Sequence, residues 1–359
     1  MGVDPHFWRG RRVLVTGHTG FKGAWLTLWL RTMQAEVIGL AHAVPTAPSL
    51  YELAQAGDGI AEVWADLRDA DAVSEAMASH APEIVIHMGA QAFVRRSFRD
   101  PRATYEINVM GTVNVLEAVR TTPGVRAVVN VTSDKCYDNR EAGRPFREDD
   151  PKGGHDPYSN SKGCAELVSD AYMRSFFAPD PAGPRLGSAR AGNVIGGGDW
   201  GEDRLIPDVM RAALANDVAC IRNPDSVRPW QHVLNPLSGY LQLAQALAES
   251  TEYQGGWNFG PAEDDVRTVG AILEGLQARW EGNLRARSDP GPHPHEARML
   301  ALDSTKARER LSWTPAWDLD EALDSIVAWY LALRDGDDIR EATLGQISSF
   351  AAAQLELSA

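Results

Sequence analysis

The sequence has few cysteines and no long apolar run. Its 359 residues include Cys136, Cys164 and Cys220, an odd number without the spacing of a metal site. A disulfide framework is therefore not expected, and reduced thiols in a cytoplasmic protein fit the pattern better. No stretch of about eighteen apolar residues occurs, and the amino terminus has no apolar signal core, so we predict neither a membrane span nor a secretion signal.

An excess of positive charge is also missing. The chain has 35 basic and 49 acidic side chains, which gives a formal net charge of −14. Such a chain is a poor candidate for sequence-independent binding of nucleic acid. The apolar content of 44% and the charged content of 23% are ordinary for a globular protein, and the length allows two domains or one elaborate one.

A glycine-rich turn follows the first strand-like segment. Residues 12–16 form a short apolar run, Gly17, Gly20 and Gly23 follow it, and the apolar run 24–30 is helix-like. These glycines allow a tight turn and a close approach of the backbone to a pyrophosphate, which the N–H groups at the helix start then face. The spacing G-x-x-G-x-x-G also occurs in simple turns. The strand before it and the helix after it favour dinucleotide binding.

The end of the second strand-like segment indicates which dinucleotide to expect. Residues 36–41 lead to His42 and Ala43, so no acid stands there for the adenosine ribose and no arginine for a 2′-phosphate. We expect NAD and not NADP, because no cationic residue follows this segment to bind a 2′-phosphate. Asp66, at the end of the third segment, either hydrogen-bonds the adenine or caps the helix that follows, and the residues leave both roles open.

Strand-like and helix-like segments alternate along the first half of the chain. Five strand patterns up to Thr132 predict an α/β fold with a doubly wound parallel sheet and right-handed crossovers. We expect a Rossmann NAD-binding domain and a smaller C-terminal α/β substrate domain. The first is predicted to span 1–188 plus about 229–258, and the second 189–228 and 259–359.

The second half gives weaker patterns. Helices are predicted near 209–215, 234–248, 269–280 and 319–333, a strand at 257–261, and a loop rich in Arg, Pro and His at 285–298. His293 and His295 in that loop lack a ligand spacing, so no metal site is predicted. Trp230 is expected in the core.

Three polar residues follow a buried-strand pattern at the middle of the chain. Ser133, Asp134 and Lys135 come just after the apolar run 127–131. Open α/β sheets bind their ligands at the carboxyl ends of the strands. We therefore expect these three side chains at an active site.

A tyrosine and a lysine lie one helical turn apart further along the chain. Tyr158 and Lys162 share one face of a predicted helix. A nearby ammonium group is expected to lower the pKa of the phenol from about 10 toward neutrality. A phenolate can accept a proton from a sugar hydroxyl as its carbon loses hydride to nicotinamide. The pattern Y-x-x-x-K is common, and its place after the sheet and the glycine turn is what favours this function.

Together these motifs resemble the extended short-chain dehydrogenase/reductase family of nucleotide-sugar enzymes, over roughly residues 10 to 335. T-G-H-T-G-F-K-G, H-M-G-A-Q, N-V-M-G-T, T-S-D-K and Y-S-N-S-K stand in the family order. Longer strings are similar to those of its 4,6-dehydratases, with CDP-glucose as the expected substrate. They are T-S-D-K-C-Y-D-N (132–139), D-P-Y-S-N-S-K-G-C-A-E (156–166), R-A-G-N-V-I-G-G-G-D-W (190–200), D-R-L-I-P-D (203–208) and R-P-W-Q-H-V (228–233).

The resemblance implies a reaction in three stages and a role for each polar residue. C4 of the glucose is oxidised with NAD, water is eliminated across C5 and C6, and hydride returns to C6. Tyr158 is then the base at C4, Ser133 hydrogen-bonds the C4 oxygen, Asp134 protonates the departing 6-hydroxyl and Lys135 removes the C5 proton. A lysine acts as a base only where its pKa is depressed, and the neighbouring carboxylate opposes this, so enolate stabilisation is the alternative role for Lys135.

The resemblance also implies which residues bind cofactor and substrate. The expected NAD-binding residues are Gly17, Thr19, Gly20, Phe21, Lys22, Gly23, His42, Asp66, Leu67, Gly89, Ala90, Gln91, Asn108, Thr132, Tyr158 and Lys162. The expected substrate-binding residues are Gln91, Asn193, Arg204, Leu205 and Arg228. The guanidinium groups of the two arginines suit a diphosphate. An epimerase, or a dehydratase for a dTDP-, GDP- or UDP-linked sugar, is the alternative. Helices beginning near Ala103 and Tyr158 are expected to form a homodimer or tetramer interface.

Overall fold

A computed structural model describes residues 2–139, 143–289, 291 and 300–358. The loop histidines His293 and His295 lie outside these ranges. The strands are β1 (Arg12–Thr16), β2 (Glu36–Ala41), β3 (Ala61–Trp64), β4 (Ile84–His87), β5 (Ala127–Val131), β6 (Arg185–Arg190), β7 (Asn193–Ile195), β8 (Val218–Ile221), β9 (Val227–His232), β10 (Gly255–Asn258), β11 (Val266–Thr268) and β12 (Arg285–Ser288).

The helices follow the same order. They are α1 (Pro5–Trp8), α2 (Phe21–Thr32), α3 (Leu50–Leu53), α4 (Ala70–His80), α5 (Val94–Arg99), α6 (Pro101–Tyr105), α7 (Gly111–Thr121), α8 (Pro157–Tyr172), α9 (Leu205–Leu214), α10 (Leu234–Glu249), α11 (Val269–Arg279), α12 (Thr305–Leu311), α13 (Leu319–Asp335) and α14 (Ile339–Ser358). A π-helical turn, Glu106–Met110, joins α6 to α7. None of the helices in the described ranges combines the length and apolarity needed to cross a membrane.

Seven parallel strands form the central sheet in the order β10-β6-β5-β4-β1-β2-β3. The pairs run in parallel, for example Val13 opposite Val37 on one side and opposite Ile84 on the other. Strands β4 and β5 are buried along their whole length, as continuous apolar runs in a sheet covered on both faces must be. The predicted doubly wound α/β fold is confirmed.

Two small sheets lie outside the central one. One has the order β11-β9-β7 and the other pairs β12 with β8. The predicted loop at 285–298 is wrong over Arg285–Ser288, which pairs in parallel with Val218–Ile221. Backbone hydrogen bonds make this strand, and its R-A-R-S sequence has no apolar run to reveal it. The division of the chain into two domains stays a prediction.

A tryptophan-rich core packs against the central sheet. Trp8, Trp25, Trp257, Trp313 and Trp329 are fully buried. Each large aromatic side chain removes much apolar surface from water, and the indole N–H then needs a partner. Trp8 has one, because its indole donates to Gln245 Oε1 at 2.9 Å from the buried helix α10. Trp230 is 4% exposed, in the core as expected, although it also borders the cleft described below.

Candidate active site

A cleft of about 1330 Å³ runs along the carboxyl ends of the sheet strands. The glycine turn, the segment after β5, the start of α8, and residues from 191–208 and 220–228 form its walls. Every residue predicted for catalysis or ligand binding lines this cleft except Asn108. The residues predicted from the sequence therefore lie together, and their contacts determine what the site can do.

The glycine turn forms a cradle that side chains would fill. Gly17 has φ +72°, and a Cβ there would lie 2.8 Å from the Cα of Gly89. A Cβ on Gly23 would lie 2.1 Å from the Gly17 carbonyl oxygen. Gly20, the N-cap of α2, offers no side-chain oxygen to the first N–H groups of the helix. Those N–H groups remain available for phosphate oxygens, so this part of the cleft fits a dinucleotide pyrophosphate.

The far end of this half suits an adenosine without a 2′-phosphate. His42 is 65% exposed and lies 3.9 Å from Asp66, and no arginine stands at the end of β2. The Asp66 carboxylate accepts from the Arg68 guanidinium at 2.6 Å, and this contact lowers the pKa of the Asp66 carboxyl group. The alternative of Asp66 as a helix cap is wrong, because Asp69 caps α4 by accepting from Ala72 N at 3.1 Å.

Asn108 acts behind the cleft wall. Its side chain accepts from Gln91 N at 2.8 Å and donates to the Gln91 carbonyl at 3.0 Å and to Ser161 Oγ at 2.9 Å. Asn108 therefore ties the end of β4 to helix α8 and does not face a ligand. The Gln91 side chain itself forms hydrogen bonds with the Phe93 backbone and the Thr104 hydroxyl.

Ser133 and Asp134 form the floor of the cleft next to β5. The Ser133 hydroxyl donates to Asp134 Oδ1 at 2.9 Å. Asp134 is 3% exposed, and its Oδ2 has no hydrogen-bond partner among the described residues. Burial raises the pKa of this carboxyl group, against the opposing charge of Lys135. A carboxyl group with a raised pKa and one oxygen that no described residue hydrogen-bonds is suited to act as a general acid.

Tyr158 and Lys162 face the same cleft from α8, but the expected pKa relation between them is wrong. Burial raises the pKa of Tyr158 to about 12, and a hydrogen bond with Ser133 opposes the shift. The largest causes of this shift do not include the charge of Lys162. Its Nζ donates to the Val131 carbonyl at 3.3 Å, and burial lowers its pKa to about 8. Desolvation of the phenol outweighs the lysine charge here.

Two further groups next to these side chains have properties that the sequence did not predict. Lys22, expected only to bind cofactor, is half-buried, and desolvation with the charges of Arg204 and Lys162 lowers its pKa to about 7, while Asp134 opposes the shift. The Tyr240 hydroxyl is buried without a hydrogen-bond partner in the described structure. It comes from α10, deep in the core, and no motif marks it.

The predicted substrate side of the cleft is held by an ion pair. Arg204 donates to Asp199 Oδ2 at 3.0 Å, and its guanidinium lies 5.2 Å from the ring centre of Phe93. Asn193, Leu205 and Arg228 also line this wall. Sequence reasoning missed Asp199 as the partner because the two residues lie in a loop, where spacing does not reveal contact.

Comparisons with known proteins agree with this geometry. The profile of the family described as GDP-mannose 4,6 dehydratase matches residues 14–326. CDP-glucose 4,6-dehydratase from Salmonella typhimurium is 50% identical over 98% of this chain and 99% of that protein. The solved dTDP-glucose 4,6-dehydratase from Streptomyces venezuelae, with NAD bound, is 25% identical over 91% of this chain and 99% of its own, with a TM-score of 0.73. The fold also matches a UDP-glucose 4-epimerase from Thermus thermophilus in complex with NAD, at TM-score 0.75 and 24% identity over 89% and 99% of the two chains.

Proposed function

This chain belongs to the GDP-mannose 4,6 dehydratase family, within the extended short-chain dehydrogenases/reductases, and from that membership we propose that it converts CDP-glucose to CDP-4-keto-6-deoxyglucose and water. It is an NAD-dependent nucleotide-sugar 4,6-dehydratase, a hydro-lyase. The 50% identity along the whole chain supports CDP-glucose over sugars carried by other nucleotides. Relatives that use dTDP-glucose are more distant, at 25% to 30% identity.

The buried Asp134 is the observation that favours a dehydratase over an epimerase. Epimerases of this fold exchange hydride at C4 alone and need no acid to expel a hydroxyl group. Here a carboxyl group with a raised pKa, one of whose oxygens has no hydrogen-bond partner in the described part of the chain, lies just after β5, beside Tyr158 and Lys135. Protonating a departing hydroxyl is the chemistry that such a group performs best.

NAD is the cofactor, and the cleft fits it. The glycine cradle and the open N–H groups of α2 would hold the pyrophosphate, and the absence of a cation after β2 favours NAD over NADP. When bound, NAD would supply the hydride acceptor for C4, the hydride donor for C6 and the positive charge of its nicotinamide ring.

The side chains of this protein move the protons. Tyr158 accepts the proton of the C4 hydroxyl, and Ser133 forms a hydrogen bond to the C4 oxygen. The ketone formed at C4 makes the C5 proton acidic. Lys135 removes that proton or stabilises the enolate, and Asp134 gives its proton to the 6-hydroxyl as it leaves. The nucleotide diphosphate faces the arginine side of the cleft, where Arg204 and Arg228 stand.

The function is tested by incubating the purified protein with CDP-glucose and NAD and measuring the mass of the sugar product. We expect a product lighter than the substrate by one water, and hydride from C4 recovered at C6. Parallel reactions with dTDP-, GDP- and UDP-glucose identify the preferred nucleotide, and we expect CDP-glucose to give a kcat/KM at least about tenfold higher. A product of unchanged mass would instead identify an epimerase.

We also propose that two copies pair through the helices on one side of the sheet. Phe98, Met110 and Leu167 are 57%, 51% and 60% exposed, although each is large and apolar. They lie on α5, the π-helical turn and α8, which pack against one another. Large apolar side chains that stay exposed on neighbouring helices are typical of a protein interface.

Charged substitutions on this surface are expected to separate the copies. Met110→Glu with Leu167→Glu should weaken self-association by at least about tenfold, because two carboxylates would be desolvated at the interface. Light scattering coupled to size exclusion measures the mass in solution. Leu355→Glu, at a residue 69% exposed on α14, is the matched control and should leave the mass unchanged. A wild-type protein that is monomeric at all concentrations would contradict the proposal.

A cytoplasmic location is part of the same proposal. Cys136, Cys164 and Cys220 are free thiols. Reduced thiols are stable in that compartment, where nucleotide sugars and NAD are also available.

A further inference from the structure

One buried ion pair holds both ends of the segment that contains Ser133, Asp134 and Lys135. At the first end, the Thr132 hydroxyl donates to Glu166. At the other, Arg190 donates to the Tyr137 hydroxyl oxygen at 2.6 Å. Glu166 and Arg190 are joined to each other by two hydrogen bonds of 2.8 and 2.7 Å.

The pair links three elements of the site. Glu166 lies on α8, one turn beyond Lys162, and Arg190 is the last residue of β6. The side chains are 5% and 3% exposed, and neither lines the cleft. A buried ion pair adds little net stability because desolvation costs about as much as the attraction returns. The stability of the fold therefore does not account for this pair, and the positions in which it holds Thr132 and Tyr137 suggest its role.

The Tyr137 end is fixed from several sides. The Tyr137 hydroxyl donates to Asn258 Oδ1 on β10 at 2.7 Å, and its ring stacks on Phe146 with centres 4.8 Å apart. Gly256 leaves the space that the guanidinium occupies, since a Cβ there would lie 2.2 Å from Arg190 Nη2. Tyr137 therefore has one position for its hydroxyl group, against Arg190.

We propose that Glu166, Arg190 and Tyr137 are positioning residues that fix the segment 132–137 for water elimination. Asp134 and Lys135 lie in the middle of this segment, whereas Tyr158 belongs to α8 and keeps its own backbone support. Loosening the Tyr137 end displaces Asp134 and Lys135, which act at C5 and C6, more than Ser133. Ser133 acts at C4 and follows Thr132, which Glu166 still holds. This inference depends on the proposed dehydratase function only for its kinetic consequence.

Tyr137→Phe tests the proposal because it removes the hydroxyl group and keeps the stacked ring. We expect kcat to fall by about 10- to 100-fold, as for a small misplacement of catalytic groups, with KM for CDP-glucose changed by less than about twofold. Rapid quenching of a single turnover should reveal a sugar nucleotide lighter than the substrate by two hydrogens, which is oxidised at C4 and still contains its 6-hydroxyl. Equal slowing of oxidation and elimination would overturn the proposal.

Two comparisons separate positioning from simple loss of stability. Tyr172→Phe is the matched control on α8, where the hydroxyl bonds Glu117 at 3.3 Å away from the cleft, and it should leave both rates unchanged. In the double variant Tyr137→Phe with Arg190→Lys, the loss of kcat should be no greater than in Arg190→Lys alone. Both changes break the same connection, the hydrogen bond between Arg190 and Tyr137. Fully additive losses would overturn the link through Arg190.

Amide hydrogen exchange without substrate tests the same idea independently of the reaction. We expect the amides of 132–137 to exchange at least about tenfold faster in Tyr137→Phe than in the wild type, and not in Tyr172→Phe. Unchanged exchange would overturn the positioning role even if the enzyme is a dehydratase. Faster exchange in a protein that dehydrates no nucleotide sugar would uphold the positioning role of Tyr137 and refute the proposed function.

Discussion

Replacing Tyr158 by Phe is expected to reduce oxidation at C4 by about 100- to 10,000-fold, the range typical of a lost general base. The change removes the Tyr158 hydroxyl, which faces the cleft beside Ser133, and leaves the buried ring in place. The C4 hydroxyl then has no group to receive its proton as hydride leaves. Single-turnover quenching with CDP-glucose measures this step as the sum of all products that contain a C4 ketone.

Binding of NAD provides the control for this variant. The pyrophosphate cradle at Gly17 to Gly23 lies on other elements, so the dissociation constant for NAD, measured by calorimetry, should change by less than about threefold. A variant that binds NAD normally and still oxidises C4 at near the wild-type rate would exclude Tyr158 as the base.

Replacing Asp134 by Asn is expected to separate the two chemical stages. The amide keeps the shape of the side chain but has no acidic proton for the departing hydroxyl. Elimination should slow by about 100- to 1,000-fold, while oxidation at C4 should slow by less than about tenfold. The oxidised sugar nucleotide, lighter than the substrate by two hydrogens, should therefore accumulate and be measurable by mass spectrometry after quenching.

Asp170→Asn is the matched change for this experiment. Asp170 lies on the exposed side of α8 in an ion pair with Arg174, outside the cleft, so both rates should stay at the wild-type level. If Asp134→Asn slowed oxidation and elimination to the same extent, its role would be to maintain the site and not to protonate the leaving group.

The strands that the sequence predicted best are the continuous apolar ones. Residues 12–16, 36–41 and 127–131 match β1, β2 and β5 at both ends, because a buried parallel strand needs an unbroken apolar run. Strand β6, R-L-G-S-A-R, gave no such signal, since arginines stand at both of its ends. Its last residue, Arg190, is buried only because Glu166 lies across from it, and that contact exists only in the folded chain.

The candidate site shows the same division between local and tertiary information. Its members could be found from sequence, because short motifs mark the residues that stand at strand ends. The raised pKa of Tyr158 could not be predicted from the sequence, because it depends on how fully the phenol is buried. The residues next to Tyr158 in the sequence do not indicate that burial. Asp199 beside Arg204 and the Glu166–Arg190 pair were missed for a related reason, since their contacts depend on the folded backbone.

The path of the chain between the sheets limits how the cleft can open. After β6 the chain leaves the seven-stranded sheet for β7 and β9, returns through α10 to β10, and leaves again for β11. Three covalent crossings therefore join the two sheets. Three connections constrain rotation of one sheet against the other more than a single linker would, so any hinge motion that admits a sugar nucleotide must bend all three at once.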